Sequence, residues 1–107
     1  PGARAVIPLG FFTEMPENIE AVMRPRSGLA ANAGLTILNT PGTIDSDYRD
    51  EWMAIVINHG HSGCLISDGD RIAQIVFQEK TKVSFEIVKE ISKKVDRGGG
   101  LGSTGTK

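Results

Sequence analysis

The sequence predicts an all-β domain, a sandwich or barrel of short strands that carries one short helix. Short runs of alternating or β-branched apolar residues recur along the chain, which is the usual signal of strands in such folds. Glycines punctuate these runs, at Gly10, Gly42, Gly60, Gly63 and Gly69. Only the stretch SGLAANAG is typical of a helix, with Ser27 as its expected cap and Gly34 as its expected end.

The predicted strands follow one another with little chain between them. The segment NIEAVMRPR alternates, which predicts a half-buried strand with Ala21 and Met23 on its apolar face and Val22 on the other face among charged neighbours. The run WMAIVIN is apolar on both faces and is therefore expected to be a central strand. In chain order, strands are expected in ARAVIPLG, NIEAVMRPR, LTILN, WMAIVIN, RIAQIVF and KVSFEIV.

Composition narrows the class of protein. The 107 residues suit one soluble domain whose core is modest, so that oligomerisation would help it. A net charge of −1 argues against a nucleic-acid binder. The single cysteine, Cys64, allows no internal disulfide, and we expect an intracellular, cytoplasmic protein. No apolar run approaches the ~20 residues of a membrane span, so no membrane partner is expected.

The C-terminal segment RGGGLGSTGTK differs in kind from the rest and divides the chain into a β domain, 1–96, and a tail, 97–107. Its five glycines cannot form a core, which predicts a mobile tail. Composition leaves two interpretations open. The tail is either a disordered end, or it binds phosphate through its backbone amides, Arg97, Ser103 and Thr104.

The segment GTIDSDYRDEW places carboxylates directly before the apolar run. Asp45 follows a Pro-Gly turn, where a rigid carboxylate could accept a proton from water as a general base. The alternative is a turn aspartate that bonds its own backbone. Tyr48, the single tyrosine, could stack on a sugar or base, whereas Asp47 and Arg49 are expected to pair locally.

Two further segments carry polar side chains of interest. In RPRSGLA, Arg26, Ser27 and Gly28 offer a guanidinium and free amides to phosphate, or are a cap with surface arginines. In GDRIAQIVF, Gln74 lies among apolar neighbours and must find hydrogen-bond partners in the backbone, a ligand or water. Asp70 and Arg71 are expected to form an ion pair at the start of that strand.

Taken in order, RPRSGLA, LNTPGTIDSDYR, GDRIAQIVF and RGGGLGSTG resemble the motifs of the trimeric dUTPase family over nearly the whole chain. The resemblance implies a dUTPase-like (β-clip) jelly-roll barrel and a homotrimer with active sites shared between subunits. It implies hydrolysis of dUTP to dUMP and pyrophosphate, which limits uracil incorporation into DNA and supplies dUMP for thymidylate synthesis. Mg²⁺ is expected on the triphosphate through water, with no direct protein ligand.

The resemblance also assigns roles to residues of this sequence. Asp45 matches the carboxylate that deprotonates the attacking water, and Tyr48 matches the residue under the deoxyribose. The uracil-reading hairpin is matched by Asn39, Gly42, Thr43 and Ile44. Phosphate contacts are matched by Arg26, Ser27, Gly28 and Gln74. The closing tail is matched by Arg97, Leu101, Gly102, Ser103 and Thr104.

The chain departs from the family pattern at three points. The first motif, of the type A-G-x-D-L, would lie upstream of Pro1. Asp50 stands where the family has glycine, and Leu101 stands where the tail usually has phenylalanine. Two alternatives are a relative of dCTP deaminase, which shares the fold, and a non-catalytic module that binds a nucleotide or a protein.

Overall fold

Six short strands and one helix form the regular structure in the computed structural model, which describes residues 1–92. The elements are β1 (Arg4–Pro8), β2 (Ile19–Pro25), α1 (Ser27–Ala33), β3 (Leu35–Ile37), β4 (Gly42–Ile44), β5 (Met53–Asn58) and β6 (Ala73–Glu79). They build two antiparallel sheets of three strands, with the orders β1-β5-β3 and β4-β2-β6. The predicted all-β class with a short helix is confirmed in the described residues.

Apolar side chains from both sheets form one core. Trp52 and Ile37 are its largest fully buried side chains, each at 1% exposure. The central position predicted for WMAIVIN is confirmed, because β5 lies between β1 and β3. Its two faces differ, however: Ala54 and Val56 are buried, whereas Met53 is 48% exposed. One face of β5 therefore stays open in the single chain.

Strand β2 follows the predicted alternation with one difference. Ala21 and Met23 belong to the core cluster, as expected. Val22 points away from that cluster but is only 5% exposed, although it was expected on a polar, open face. Its strand is the middle one of its sheet, where Val22 pairs with Thr43 on one side and Val76 on the other, and neighbouring strands shield it.

The prediction of a strand in KVSFEIV is wrong for the described residues. Residues 81–88 contain no regular secondary structure and are exposed, with Phe85 at 93% and Ile87 at 100%. The alternation is real, but a strand needs a partner, and none lies beside this segment within residues 1–92. Conversely, β4 pairs with β2 although its three residues are too short to show a periodic pattern.

The helix ends as predicted but begins differently. Gly34 adopts the left-handed conformation (φ 70°), and its N–H donates to the carbonyl oxygen of Ala30. Ser27 is the first helical residue rather than the cap; Arg26 occupies the cap position without a side-chain bond. Across residues 1–92 we find no helix with the length and apolar character needed to cross a bilayer.

Gly60 lies against the end of the helix. A Cβ at this position would overlap the carbonyl oxygen of Ala33. Asn58, which is 9% exposed, fixes the turn because its Oδ1 accepts from the N–H of Gly60 (2.8 Å) and its Nδ2 donates to the carbonyl of Ser62 (2.9 Å). The close approach of these backbones explains why glycine is required there.

Candidate active site

A cavity of about 580 Å³ lies at the mouth of β5, where the sequence places its run of charges. We call it the β4–β5 cavity. Carboxylates from the turn between β4 and β5 lie on one side, and apolar side chains of β1 and β5 lie on the other. Its lining residues are Val6, Thr43, Ile44, Asp45, Asp47, Tyr48, Arg49, Asp50, Trp52, Met53 and Ile55.

The turn that carries Asp45 and Tyr48 is held by its own hydrogen bonds. The Tyr48 N–H donates to the carbonyl oxygen of Asp45 (3.1 Å), and the Tyr48 hydroxyl donates to the carbonyl oxygen of Glu51 (2.7 Å). The guanidinium of Arg49 donates to the carbonyl oxygen of Ser46. The expected Asp47–Arg49 pair is therefore wrong, because Arg49 closes the turn through the backbone instead.

The Asp45 side chain remains available for chemistry. It is exposed and lines the β4–β5 cavity. Its backbone carbonyl takes part in the turn, but its carboxylate accepts no hydrogen bond within residues 1–92. The alternative of a turn aspartate that caps its own backbone therefore does not describe this side chain.

The predicted uracil hairpin divides into two parts. Thr43 and Ile44 line the β4–β5 cavity, whereas Asn39 and Gly42 do not. Asn39 instead lies against Gly42: a Cβ on Gly42 would stand 3.3 Å from Asn39 Nδ2, closer than most such contacts. A side chain on Gly42 would press on Asn39, so this pair sets the path of the chain into β4.

A second cavity, of about 410 Å³, lies where β2 ends and the helix begins. We call it the Arg26 cavity. It is lined by Arg26, Ser27, Gly28, Leu29, Arg71 and Gln74, so it brings together every phosphate contact that the sequence predicted within the described residues. Gln74 finds the backbone partner that its sequence context required, because its Nε2 donates to the carbonyl oxygen of Pro25 (2.8 Å).

Arg71 is the residue that sequence reasoning missed in this cavity. It was expected to pair with Asp70, but the Asp70 carboxylate instead accepts from the N–H of Ser67 (2.8 Å). Among residues 1–92 the one ion pair joins Lys82 and Glu17, at 3.5 Å. Arg71 lies before the first residue of β6, so strand alternation does not indicate which way its side chain points. The sequence therefore offered no signal that it lines this cavity. It adds a second guanidinium to the cavity wall.

Two predicted features remain, the metal site and the C-terminal tail. Within residues 1–92 no three His, Cys, Asp or Glu side chains come together as a metal-binding group. Arg97, Leu101, Gly102, Ser103 and Thr104 lie outside the described residues, as does the expected boundary after residue 96. Within the described residues the β4–β5 cavity and the Arg26 cavity share no lining residue, so Asp45 and Arg26 line separate cavities.

Solved structures of similar fold include two phage proteins. A mutant dUTPase of Staphylococcus bacteriophage 80alpha, with dUpNHpp, superposes with a TM-score of 0.78 at 22% identity over 98% of this chain and 78% of its own. A mutant dUTPase of phage phi11 of S. aureus, reported with a structural Mg(II) ion, gives 0.71 at 22% identity over 84% and 74%. These likenesses confirm the dUTPase-like fold.

Sequence comparison goes further than the fold. The deoxyuridine 5'-triphosphate nucleotidohydrolase of Rhizobium rhizogenes is 50% identical over 105 residues, 98% of this chain and 67% of the relative. The protein of the same name from Bdellovibrio bacteriovorus is 51% identical over 98% of this chain and 70% of its own length. The dUTPase family profile matches residues 1–105. The chain therefore belongs to the dUTPase family.

Proposed function

We propose that this chain hydrolyses dUTP to dUMP and pyrophosphate by attack of water on the α-phosphate. Relatives that are half identical to it are named dUTP nucleotidohydrolases. The observation that carries the proposal is the exposed carboxylate of Asp45 in the wall of the β4–β5 cavity, which has no hydrogen-bond partner among residues 1–92 and lies three residues before the anchored ring of Tyr48. An available carboxylate beside a fixed aromatic ring suits a base next to a sugar.

Asp45 acts as the general base in this proposal. Its carboxylate can accept a proton from a water placed between it and the α-phosphorus. Phosphoryl chemistry of this kind requires mainly alignment of the water and stabilisation of charge, with little covalent help from the protein. The pairing of Ile44 with Ala21 and the hydrogen bonds within the turn would supply the alignment, because they hold the backbone on either side of Asp45.

Tyr48, Thr43 and Ile44 form the nucleoside side of the site. The Tyr48 ring would lie under the deoxyribose, and its hydroxyl, already bonded to the Glu51 carbonyl, keeps the ring in place. A ring held in this way would leave no room for a 2′-hydroxyl. The backbone of β4 would read the uracil edge, with Asn39 and Gly42 supporting that strand from behind.

The Arg26 cavity forms the phosphate side. Arg26 and Arg71 can each present a planar donor fork to phosphate oxygens, and Gln74 keeps an amide oxygen and an N–H beside its bond to Pro25. The tail residues Arg97, Leu101, Gly102, Ser103 and Thr104 would complete the closure over the triphosphate. Their contribution is argued from the family motif alone.

Magnesium would be carried on the triphosphate. Mg²⁺ commonly takes one or two carboxylates together with substrate phosphates and water. Asp45 and Asp47 offer carboxylates in the same cavity. Residues 1–92 contain no cluster of three metal-binding side chains, so these carboxylates suit a metal that contacts the protein through water. When bound, Mg²⁺ would supply neutralisation of phosphate charge.

A homotrimer would unite the two cavities. One dUTP must reach both the general base and the phosphate-binding residues, yet among residues 1–92 of a single chain these residues line separate cavities. Two apolar surfaces are open for association: the outer face of the β1-β5-β3 sheet, with Val6 at 58% and Met53 at 48% exposure, and the segment around Phe85. Their exposure supports a shared site between copies of the chain. A cytoplasmic location suits an enzyme of nucleotide metabolism and remains part of the proposal.

The test is a product assay on the chain with Mg²⁺ present. We expect pyrophosphate and dUMP from dUTP, and no ammonia from dCTP. Ammonia from dCTP would instead identify a deaminase, and neither product would identify a non-catalytic module. Binding of a non-hydrolysable dUTP analogue, measured in the same samples, separates a module that binds nucleotide from a chain that binds none.

A further inference from the structure

The ladder between β1 and β5 is interrupted beside the β4–β5 cavity. The regular pairs run from Arg4 opposite Ile57 to Pro8 opposite Met53. At the next position, the N–H of Leu9 donates to the carbonyl oxygen of Trp52 (2.8 Å), but the N–H of Trp52 donates to the carbonyl oxygen of Phe11 (3.0 Å). Two extra residues, Gly10 and Phe11, are thus accommodated opposite Trp52. We call residues 9–11 the Gly10 bulge.

The bulge is attached to the site by Glu51. Gly10 has φ +84°, which favours glycine, and its N–H donates to Glu51 Oε2 at 3.0 Å. Because the acceptor is a carboxylate, this bond is charge-assisted. The backbone carbonyl oxygen of Glu51 accepts a hydrogen bond from the Tyr48 hydroxyl at 2.7 Å. Glu51 therefore links the bulge to Tyr48: its side chain bonds the bulge, and its backbone bonds the Tyr48 hydroxyl.

Neighbouring contacts make the bulge a firm support. Phe11 packs on Trp52 with ring centroids 4.9 Å apart, and Trp52 Nε1 donates to Thr13 Oγ1 at 3.0 Å. Trp52 is 1% exposed and belongs to the core. Glu51 is thus fixed on one side by a buried residue and on the other by the bulge. Bulges are common beside active sites, and this one holds the side chain of the residue whose backbone carbonyl anchors Tyr48.

We propose that Glu51 is a positioning residue that sharpens the choice between deoxyribose and ribose by holding Tyr48 against the sugar. This inference rests on the proposed dUTP hydrolysis. Glu51 does not line the β4–β5 cavity, whereas Tyr48 does, so its effect on the sugar would pass through Tyr48. Without its carboxylate, the residue-51 backbone loses its link to Gly10, and the Tyr48 ring gains freedom to move away from a 2′-hydroxyl.

The experiment compares kcat/KM for dUTP and UTP in four variants of the full chain. For Glu51→Ala we expect the ratio of dUTP to UTP to fall by ~3–10-fold, as suits the loss of one hydrogen bond. Glu51→Gln keeps an acceptor for the Gly10 N–H and should restore most of the ratio. Tyr48→Phe removes the other bond of the same linkage and should lower the ratio similarly. Glu14→Ala is the matched control, because Glu14 is exposed, follows the bulge closely and forms no side-chain hydrogen bond within residues 1–92.

A second readout tests the linkage without activity. The Gly10 amide should exchange its hydrogen faster in Glu51→Ala than in the wild type or in Glu51→Gln. If that amide is released while the dUTP to UTP ratio stays unchanged, Glu51 is structural only and the proposal is overturned. Equal losses for both nucleotides, with no rescue in Glu51→Gln, overturn it as well. If the wild type hydrolyses neither nucleotide, both the proposed function and the positioning role of Glu51 are wrong. If the wild type is active and Glu51→Ala leaves the dUTP to UTP ratio unaltered, only the positioning role is wrong.

Discussion

The side-chain nitrogen of Gln74 donates a 2.8 Å hydrogen bond to the carbonyl oxygen of Pro25. The backbone register already places Gln74 opposite Arg24 and Ala73 opposite Pro25. The side chain therefore adds a further link at the end of the β2–β6 ladder, one residue before Arg26. Gln74 thus joins the strand that carries it to the segment that carries the first guanidinium of the Arg26 cavity.

Replacement of Gln74 is expected to weaken triphosphate binding. Gln74→Ala removes both the link to Pro25 and a proposed phosphate donor, and we expect KM for dUTP to rise by ~10-fold. Gln74→Glu should be worse, because a carboxylate repels phosphate. Gln78→Ala is the matched control, since Gln78 lies on the same strand and bonds Glu20 instead (2.7 Å). Equal KM values for the two alanine variants would remove Gln74 from the phosphate site.

Replacement of Asp45 should separate binding from chemistry. Asp45→Asn keeps the shape of the side chain but cannot take a proton, and loss of a general base typically costs ~10²–10⁴ in rate. We expect that loss in kcat, with affinity for a non-hydrolysable analogue largely unchanged. Asp50→Asn, from the same cavity, should stay within a few-fold of the wild type. Near-normal turnover in Asp45→Asn would show that another group accepts the proton.

The oligomeric state is expected to be a homotrimer. Light scattering should report three times the 11.5 kDa mass of one chain at micromolar concentration. Phe85 is 93% exposed, so Phe85→Ser should weaken association without loss of core packing. Circular dichroism of the variant provides the control for folding. A wild type that stays monomeric while it hydrolyses dUTP would contradict the shared site.

The contact between Gly60 and the helix end predicts a stability difference between two glycines. In Gly60→Ala the new Cβ would overlap the Ala33 carbonyl, and we expect a loss of ~1–3 kcal/mol in the free energy of unfolding. In Gly63→Ala the Cβ would meet no atom within 4 Å, so the change should be neutral or stabilising by ~0.4–1 kcal/mol. Urea denaturation of both variants measures the difference. Equal midpoints would show that the helix end moves aside freely.

Leu101, which lies outside the described residues, is proposed to cover the uracil because it matches the family tail. An aromatic side chain stacked on a base is worth ~1–3 kcal/mol relative to alanine, and leucine recovers part of this by apolar burial. Leu101→Phe should therefore tighten dUTP binding by ~2–10-fold in titration. Deletion of residues 97–107 should have the opposite effect and slow turnover. If the truncated chain is as fast as the intact one, the tail has no part in closure.

Most of the strands could be predicted because their signal is local. ARAVIPLG, NIEAVMRPR, LTILN and WMAIVIN each contain a strand of the structure, whereas β6 begins within RIAQIVF and continues beyond it to Glu79. KVSFEIV has the same alternation but lacks a neighbour within residues 1–92, and alternation cannot reveal whether a partner is present. Strand β4 is the converse case, since its three residues form a strand because β2 lies beside them.

The candidate site, like the fold, could be predicted only in part. The residue types left alternatives open at Arg26, Asp45 and Gln74, and the resemblance of their motifs to the dUTPase family indicated phosphate and nucleoside chemistry. The tertiary structure decided which groups meet. Within residues 1–92 it placed Arg71 in the Arg26 cavity, left the Asp45 carboxylate without a hydrogen bond, and gave the two cavities no lining residue in common. It also joined Glu51 to Gly10, 41 positions away, since a contact between distant segments is set by the pairing of β1 with β5 and not by any local pattern.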